Sequence, residues 1–227
     1  MSTDQAIELV QAELAAAADP EKAAPMAAYM KTDMPFYGVQ KKGRTEVFRA
    51  MTKRFPIDDL DGYRSAIEAL WIQPHREEKY LAVGIAKHYR EFLTFDNFDL
   101  YRRLIVEGAW WDFVDEVAIH CVGIVYLEDR ERTQPTIERW IDDDSMWLRR
   151  TSLISPIKHK AETDHEVLFD HCLRRSYEKE FFIRKAIGWT LREYAKTEPD
   201  RVRAFLLANR DCWSGLTFRE AGKHLDI

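Results

Sequence analysis

Cysteine and glycine are scarce in this chain of 227 residues, which has three cysteines and nine glycines. The cysteines, Cys121, Cys172 and Cys212, are far apart and odd in number, which disfavours a disulfide framework and a zinc site. The seven histidines are scattered as well, without metal-ligand spacing to one another or to cysteine. We therefore expect reduced thiols, no bound metal and no organic cofactor.

Long apolar runs are missing too. No stretch of about 18 apolar residues occurs, so no membrane span is expected. The first residues show no basic stretch followed by an apolar run, so no signal peptide is expected and a cytoplasmic location is predicted. The sequence has no G-x-G-x-x-G, P-loop, His-Glu-x-x-His or G-x-S-x-G motif, which leaves nucleotide binding, zinc proteolysis and serine hydrolysis without support.

The overall charge is acidic, with a net charge of −5 and a pI of about 5.9. Taken alone, this argues mildly against a nucleic-acid-binding protein, whose binding surface is usually basic. Net charge does not determine local charge, however, so the clustering of Lys and Arg matters more. The 46% hydrophobic and 32% charged residues suit a soluble globular protein.

The residue pattern predicts an all-α protein, because no long stretch alternates polar and apolar residues and Ala, Leu, Glu, Lys and Arg fill most segments. Pro156 is expected to shorten or kink the helix in which it lies. No linker divides the chain, so one domain over 1–227 and a monomer are expected. The predicted helices are 4–17, 21–32, 44–54, 61–72, 76–90, 96–105, 111–126, 132–142, 145–158, 164–175, 179–196 and 198–208.

Four of these helices share an aromatic residue followed by an aliphatic one. The aliphatic positions are 33, 34 and 35 residues apart, at Leu81, Val114, Leu148 and Ile183. Steps of that size are typical of one helix pair per repeat in an α-solenoid. An irregular helical bundle is the alternative, but we favour the solenoid, whose concave surface normally binds something elongated.

Trp111 and Asp115 are four residues apart, so they share one face of a helix. A separate apolar stripe for the core is formed by Trp110, Val114, Val117 and Cys121. An aromatic ring beside a carboxylate suits a planar, positively charged partner, because the ring face attracts cations and the carboxylate stabilises positive charge.

The predicted helix 179–196 has a cationic face around a tryptophan, opposite a core face of Ile183, Ile187, Thr190, Leu191 and Tyr194. The cationic face consists of Lys185, Trp189, Arg192 and Lys196. One interpretation is that Trp189 packs on a neighbouring helix beneath the cationic stems. The other is a nucleic-acid surface, with cations for phosphates and the indole for a sugar or base.

Arg150 lies within an apolar stripe of Trp147, Ile154 and Ile157. It needs a partner, because an unpaired buried guanidinium is very costly. A carboxylate such as Asp115 or Glu116, one repeat earlier, is one candidate. A phosphate, which Arg can bind through two parallel hydrogen bonds, is an equally favoured one.

The segment 29–44 begins near a helix end at Tyr29 and contains two glycines that free its backbone. Its last residues form a basic cluster, Lys41, Lys42 and Arg44. Basic residues at a loop-to-helix junction can meet a phosphate, although such a cluster is usually only a solvated loop.

Much of the chain resembles the AlkD-like DNA alkylation repair glycosylases, through segments 29–44, 110–115, 140–150, 181–196 and 216–221. The resemblance implies a solenoid of HEAT-like helix pairs with DNA against its concave side, and excision of purines alkylated at N3 or N7. By motif it assigns catalysis to Trp111, Asp115 and Trp189. It assigns DNA contacts to Tyr29, Arg150 and Arg192, to which the residue patterns add Lys185, Lys41 and Arg44.

The sequence therefore predicts a DNA glycosylase whose partner is double-stranded DNA containing alkylated purines. A non-catalytic binder of damaged or branched DNA on the same fold is one alternative. A protein-interaction scaffold, the commonest use of helical repeats, is another.

Overall fold

The computed structural model describes residues 3–227 and divides the chain at Phe92 into two compact units. Unit 1 ends at Phe92, and unit 2 is Leu93–Ile227. All regular secondary structure within residues 3–227 is helical, which confirms the predicted all-α class. None of the helices in this range is both long and apolar enough to span a membrane. The expectation that residues 1–227 act as one domain stays a prediction.

The helices follow the predicted order, with short turns between them. Unit 1 contains α1 Thr3–Ala16, α2 Pro20–Met30, α3 Lys41–Arg54, α4 Leu60–Trp71 and α5 Arg76–His88. Unit 2 contains α6 Phe98–Gly108, α7 Trp111–Val117, α8 Gly123–Glu128, α9 Arg130–Trp140, α10 Met146–Ile154, α11 His165–Arg174, α12 Phe181–Ala195, α13 Pro199–Ala208 and α14 Gly215–Ala221.

Each unit has its own apolar core. In unit 1 the buried side chains come from α1, α3, α4 and α5, and include Val10, Leu14, Val47, Met51, Ile67, Leu70, Leu81 and Ile85. In unit 2 the predicted core face of α12 is buried throughout, as are Val114, Val117 and Cys121. The 3.6-residue periodicity therefore assigned these faces correctly.

A buried carboxylate holds the loop between α2 and α3 in unit 1. Both carboxylate oxygens of Glu77 accept backbone N–H groups, from Tyr37 at 3.1 Å, Gly38 at 2.9 Å and Val39 at 3.0 Å. Gly38 has a φ of +85°, and a Cβ there would lie 2.0 Å from the backbone oxygen of Asp19. The loop that leads to Lys41 is thus bound to α5 along its backbone.

The predicted helix 111–126 contains an irregular turn that its sequence pattern does not indicate. Between α7 and α8 the residues Ala118–Val122 form a π-helical turn. Gly123 follows it, and a Cβ at Gly123 would lie 2.2 Å from the backbone oxygen of Ser155. The backbone oxygen of Gly123 lies 2.7 Å from Nε2 of His159. Single π-helical turns occur frequently at functional sites, and this one lies on the helix that carries Asp115.

Most helix ends differ from the prediction by one to four residues, and one short helix was not predicted. α10 ends at Ile154 and continues as the 3₁₀ turn Ser155–Lys158, as expected from Pro156. α3 begins at Lys41 rather than at residue 44, so the whole basic cluster is helical. α14 is absent from the predicted helices; it has only seven residues and begins after Ser214, whose hydroxyl accepts the N–H of Thr217.

Candidate active site

A buried ion pair joins two helices of unit 2. Nε of Arg150, on α10, donates to Oδ1 of Asp115, on α7, at 2.7 Å, and Nη2 donates to Oδ2 at 2.7 Å. Nη1 of Arg150 donates to the backbone oxygen of Phe182, at the start of α12, at 2.6 Å. One guanidinium therefore connects α7, α10 and α12 through charge-assisted hydrogen bonds.

The two members of the pair differ in exposure. The Arg150 side chain is 5% exposed and that of Asp115 is 15% exposed, so the negative end of the pair is the more accessible one. Burial raises the pKa of the Asp115 carboxyl above its ordinary value, while the hydrogen bonds and the positive charge of Arg150 act in the opposite direction. Because a carboxylate has about four acceptor positions, Asp115 can still accept hydrogen bonds besides those from Arg150.

Aromatic rings surround the guanidinium. Cζ of Arg150 lies 5.7 Å from the ring centroid of Phe182 and 6.0 Å from that of Trp189. Behind them, Phe182 packs against Trp147 and Trp110, with ring centroids 5.0 and 5.5 Å away. This apolar surrounding lowers the local dielectric and strengthens the electrostatic interactions of the ion pair.

Trp111 begins α7, one helical turn before Asp115, and its side chain is partly buried. The spacing of four residues places both side chains on one face of this helix, as predicted. The fold thus brings together Asp115, Arg150 and Trp189 from three helices, with Trp111 on the helix of Asp115. Of the two partners considered for Arg150, the carboxylate is the one observed.

The cationic face of α12 is ion-paired. Nζ of Lys185 lies 2.5 Å from Oε2 of Glu220 on α14, and Arg192 forms an ion pair with the other oxygen of the same carboxylate. Gly188 lies between these two cations, and a Cβ there would come within 2.5 Å of Cβ of Glu220. The missing side chain lets α14 pack closely on α12, and this places Glu220 between the cations. Lys196 forms its ion pair with Glu193.

Unit 1 brings together the predicted DNA contacts of segment 29–44. Tyr29, Lys41, Arg44 and Tyr80 all line a cleft of about 410 Å³. The guanidinium of Arg44 lies over the ring of Tyr80, 4.3 Å from its centroid, and donates to the backbone oxygen of Val39 at 3.1 Å. The Tyr29 side chain is 71% exposed.

A family model described as DNA alkylation repair enzyme matches residues 10–225. The chain belongs to this family.

Solved structures agree with this assignment. A predicted DNA alkylation repair enzyme from Enterococcus faecalis is 27% identical, with a TM-score of 0.84 over 92% of this chain and 97% of its own. AlkD2 from Streptococcus mutans is 16% identical, with a TM-score of 0.64 over 90% of this chain and 99% of its own. The latter shows the fold alone, and together they confirm the predicted AlkD-like helical repeat fold. No curated protein matches the chain.

Two residues of this region were not among the predicted site residues. The backbone oxygen of Phe182 accepts a hydrogen bond from Arg150, and the Phe182 ring lies beneath the Arg150 guanidinium. Glu220 forms ion pairs with two cations, Lys185 and Arg192. A signal for Glu220 does exist in the sequence, since Lys185 and Arg192 are seven residues apart on one helix face and flank a glycine. No local pattern indicates the role of the Phe182 backbone oxygen.

Because Asp115 and Arg150 form a buried ion pair, we expect substitutions of the two residues to have strongly non-additive effects on the free energy of unfolding. We expect Arg150→Met to destabilise the protein by about 3–5 kcal/mol, because it leaves the Asp115 carboxylate buried without a counter-charge. Combining it with Asp115→Leu should recover most of this loss, since no uncompensated charge remains. Denaturant unfolding of the two single variants and the double variant measures the coupling.

Arg139→Met is the control, because Arg139 is exposed and its guanidinium donates to the Thr136 hydroxyl rather than to a carboxylate. It should change stability by less than about 0.5 kcal/mol. Additive losses in the Asp115 and Arg150 double variant would show that the pair is not coupled.

Proposed function

We propose that this protein is a DNA glycosylase that removes cationic N3- or N7-alkylated purines from duplex DNA. The observation that carries the proposal is a carboxylate, Asp115, which is held by Arg150 and is the more exposed member of the pair, while the Arg150 guanidinium lies over the indole of Trp189. An ionised carboxylate stabilises positive charge that develops next to it. The family membership supports a role in alkylation repair.

The reaction needs little activation of the leaving group, because an alkylated purine of this kind already carries a positive charge. When its N-glycosidic bond breaks, the base keeps the bonding electron pair and leaves as a neutral molecule. The sugar becomes oxocarbenium-like, water adds to its C1′, and the added water loses a proton. A single carboxylate is then sufficient, whereas sugar hydrolases normally use two.

Asp115 would stabilise the developing sugar cation and orient the attacking water. Arg150 maintains the ionised form of this carboxylate against the opposing effect of burial, and it fixes the orientation of both oxygens through the bidentate contact. A fixed charge aimed at charge that grows in the transition state raises the rate, because it binds the transition state more strongly than the ground state.

Trp111 and Trp189 would flank the deoxyribose and the cationic base. Each ring face can contribute on the order of 0.5–2 kcal/mol of cation–π attraction. Trp189 already lies 6.0 Å from the Arg150 guanidinium by its ring centroid, so its face is oriented toward positive charge in the free protein.

The remaining predicted residues would bind the DNA backbone. Lys185, Arg192 and Lys196 form ion pairs with only two carboxylates, Glu220 and Glu193, so this group keeps one net positive charge for a phosphate. In unit 1, Tyr29, Lys41 and Arg44 line one cleft, and Lys41 begins α3, whose N-terminal N–H groups favour an anion. Arg150 would contribute to phosphate binding only through N–H groups that are not used by Asp115 and Phe182.

Asp115→Asn tests the proposed catalytic carboxylate. The amide keeps the shape but loses the charge, and one lost electrostatic stabiliser should slow base release by roughly two to four powers of ten. Release of N7-methylguanine from a methylated duplex under single-turnover conditions measures this, and duplex affinity should be largely retained. Glu116→Gln, at the adjacent carboxylate of α7, is the matched control and should retain activity. A wild-type protein that binds the duplex and releases no base would instead be a non-catalytic DNA binder.

The pH dependence follows from the same carboxyl. Its pKa is raised by burial, so the catalytic ionised form is lost as the pH falls through a value above the ordinary Asp pKa of about 3.9. As the pH is lowered, we expect the single-turnover rate, after subtraction of spontaneous depurination, to begin to fall before the pH reaches about 4. Asp115→Asn should lack this acid limb. A wild-type rate that is constant down to about pH 4 would contradict the role of Asp115.

Lesion charge provides a further test. Duplexes that contain N7-methylguanine, uracil or hypoxanthine can be compared with excess enzyme under one set of conditions. We expect efficient release of N7-methylguanine alone, because a neutral base must be protonated before it leaves, whereas Asp115 acts in its ionised form. We expect Trp111→Ala and Trp189→Ala each to slow this release. Comparable release of uracil or hypoxanthine would mean that the substrate's own charge does not drive the reaction.

A further inference from the structure

One helix of this acidic protein is strongly basic. α3 has the sequence KKGRTEVFRAMTKR, with six basic residues and a single acidic one, Glu46, whereas the whole chain has a net charge of −5. This concentration extends well beyond Lys41 and Arg44, which line the cleft of unit 1. The other basic residues are Lys42, Arg49 and Lys53, which are exposed, and Arg54, whose guanidinium lies over the ring of Phe55.

These three cations share one side of α3. Val47 and Met51 are buried on the opposite side, in the core of unit 1. Lys42, Arg49 and Lys53 follow one another at steps of seven and four residues, which bring side chains to the same helix face. From the first to the last the rise is about 16 Å, which equals about five base pairs of duplex DNA at 3.4 Å each.

No carboxylate neutralises these cations within residues 3–227. Lys42, Arg49 and Lys53 have neither an ion pair, nor a side-chain hydrogen bond, nor an aromatic partner in this part of the chain, and Glu46 on the same face is not within ion-pair distance. The cations near Asp115 are different, since Arg150 pairs with Asp115, and Lys185 and Arg192 share Glu220.

The arrangement is unfavourable for the helix itself. Lys41 and Lys42 are at the positive end of the helix dipole, the first turn has no acidic residue, and the N-cap residue Gln40 makes no side-chain cap. Arg49 and Lys53 are like charges at a spacing of four residues, which also destabilises a helix. Lys53 is favourably placed in the last turn, and Glu46 offsets one of the three positive charges, so the face keeps a net positive charge that a polyanionic partner would explain.

We propose that the exposed face of α3, formed by Lys42, Arg49 and Lys53, binds the phosphate backbone of duplex DNA independently of base sequence and lesion. The proposal rests on the proposed function for the identity of the partner. Counterion release from DNA is driven by cations that are not already neutralised, so this face supplies much of the affinity for undamaged duplex, and the ion-paired residues around Asp115 supply less.

The test is a triple variant with Lys42→Gln, Arg49→Gln and Lys53→Gln. Binding of an undamaged fluorescent duplex is measured by anisotropy over a range of salt concentrations. Each lost phosphate contact should make the slope of log K against log salt shallower by about 0.9, so a change of about 2 to 3 is expected, with affinity at least about tenfold weaker at low salt. The single-turnover rate of N7-methylguanine release at saturating enzyme should stay within about twofold of wild type.

The control has the same change of charge and composition elsewhere. Arg102, Lys160 and Lys223 are exposed, belong to unit 2 and carry no ion pair within residues 3–227. Replacing all three with Gln should leave the salt slope within about half a unit of wild type, so that any larger effect in α3 reflects position and not net charge.

The outcomes separate this inference from the glycosylase proposal. A shallower slope in the α3 variant alone supports the phosphate-binding face, even if the wild-type protein releases no base. Equal slopes in the α3 variant and the control overturn it, even if base release by the wild type is efficient. Melting temperatures of both triple variants close to wild type exclude unfolding as the cause.

Discussion

Asp115 and Arg150 exchange two hydrogen bonds of 2.7 Å in a part of unit 2 that is largely closed to water. The arrangement of α7, α10 and the start of α12 depends on this contact, because Arg150 also binds the backbone oxygen of Phe182. Burial of a charge is tolerated only where a counter-charge and further hydrogen bonds compensate for lost solvation. The same requirement that stabilises the fold thereby holds one partly exposed carboxylate in a fixed orientation on Arg150, whose guanidinium lies over the ring of Trp189.

Close helix contacts provide the framework around this pair. Gly188 lets α14 approach α12, and Gly123 lets the turn Ser155–Lys158 approach the helix of Asp115. In both places a side chain would collide with Cβ or backbone atoms, which cannot easily move aside. Closely packed interiors transmit such constraints, so the position of Asp115 depends on residues that make no contact with a ligand.

Positive charge is divided between two roles. Near Asp115 the cations are matched by carboxylates, which orients side chains and limits electrostatic repulsion. On α3 the exposed cations Lys42, Arg49 and Lys53 have no ion-pair partner within residues 3–227, as is expected of a surface that meets a polyanion. An acidic protein can therefore bind DNA, because phosphates respond to the local field and not to the net charge of −5.

The sequence by itself determined the features that depend on local periodicity. The helices, the buried face of α12, the shared face of Trp111 and Asp115, and the early end of α10 before Pro156 all follow from spacing and backbone chemistry within a few residues. The motifs of Trp111, Asp115 and Trp189 also indicated the family. Their catalytic roles stay predictions.

Only the tertiary structure decided which charges meet. Arg150 had Asp115 or Glu116 as candidate carboxylate partners, and its contact with Asp115, 35 residues away, comes from the packing of α7 against α10. Lys185 and Arg192 looked like unmatched cations until α14 placed Glu220 between them. Periodicity reports the face on which a side chain lies, but the partner across that face depends on how neighbouring helices pack, and no short stretch of sequence contains that information.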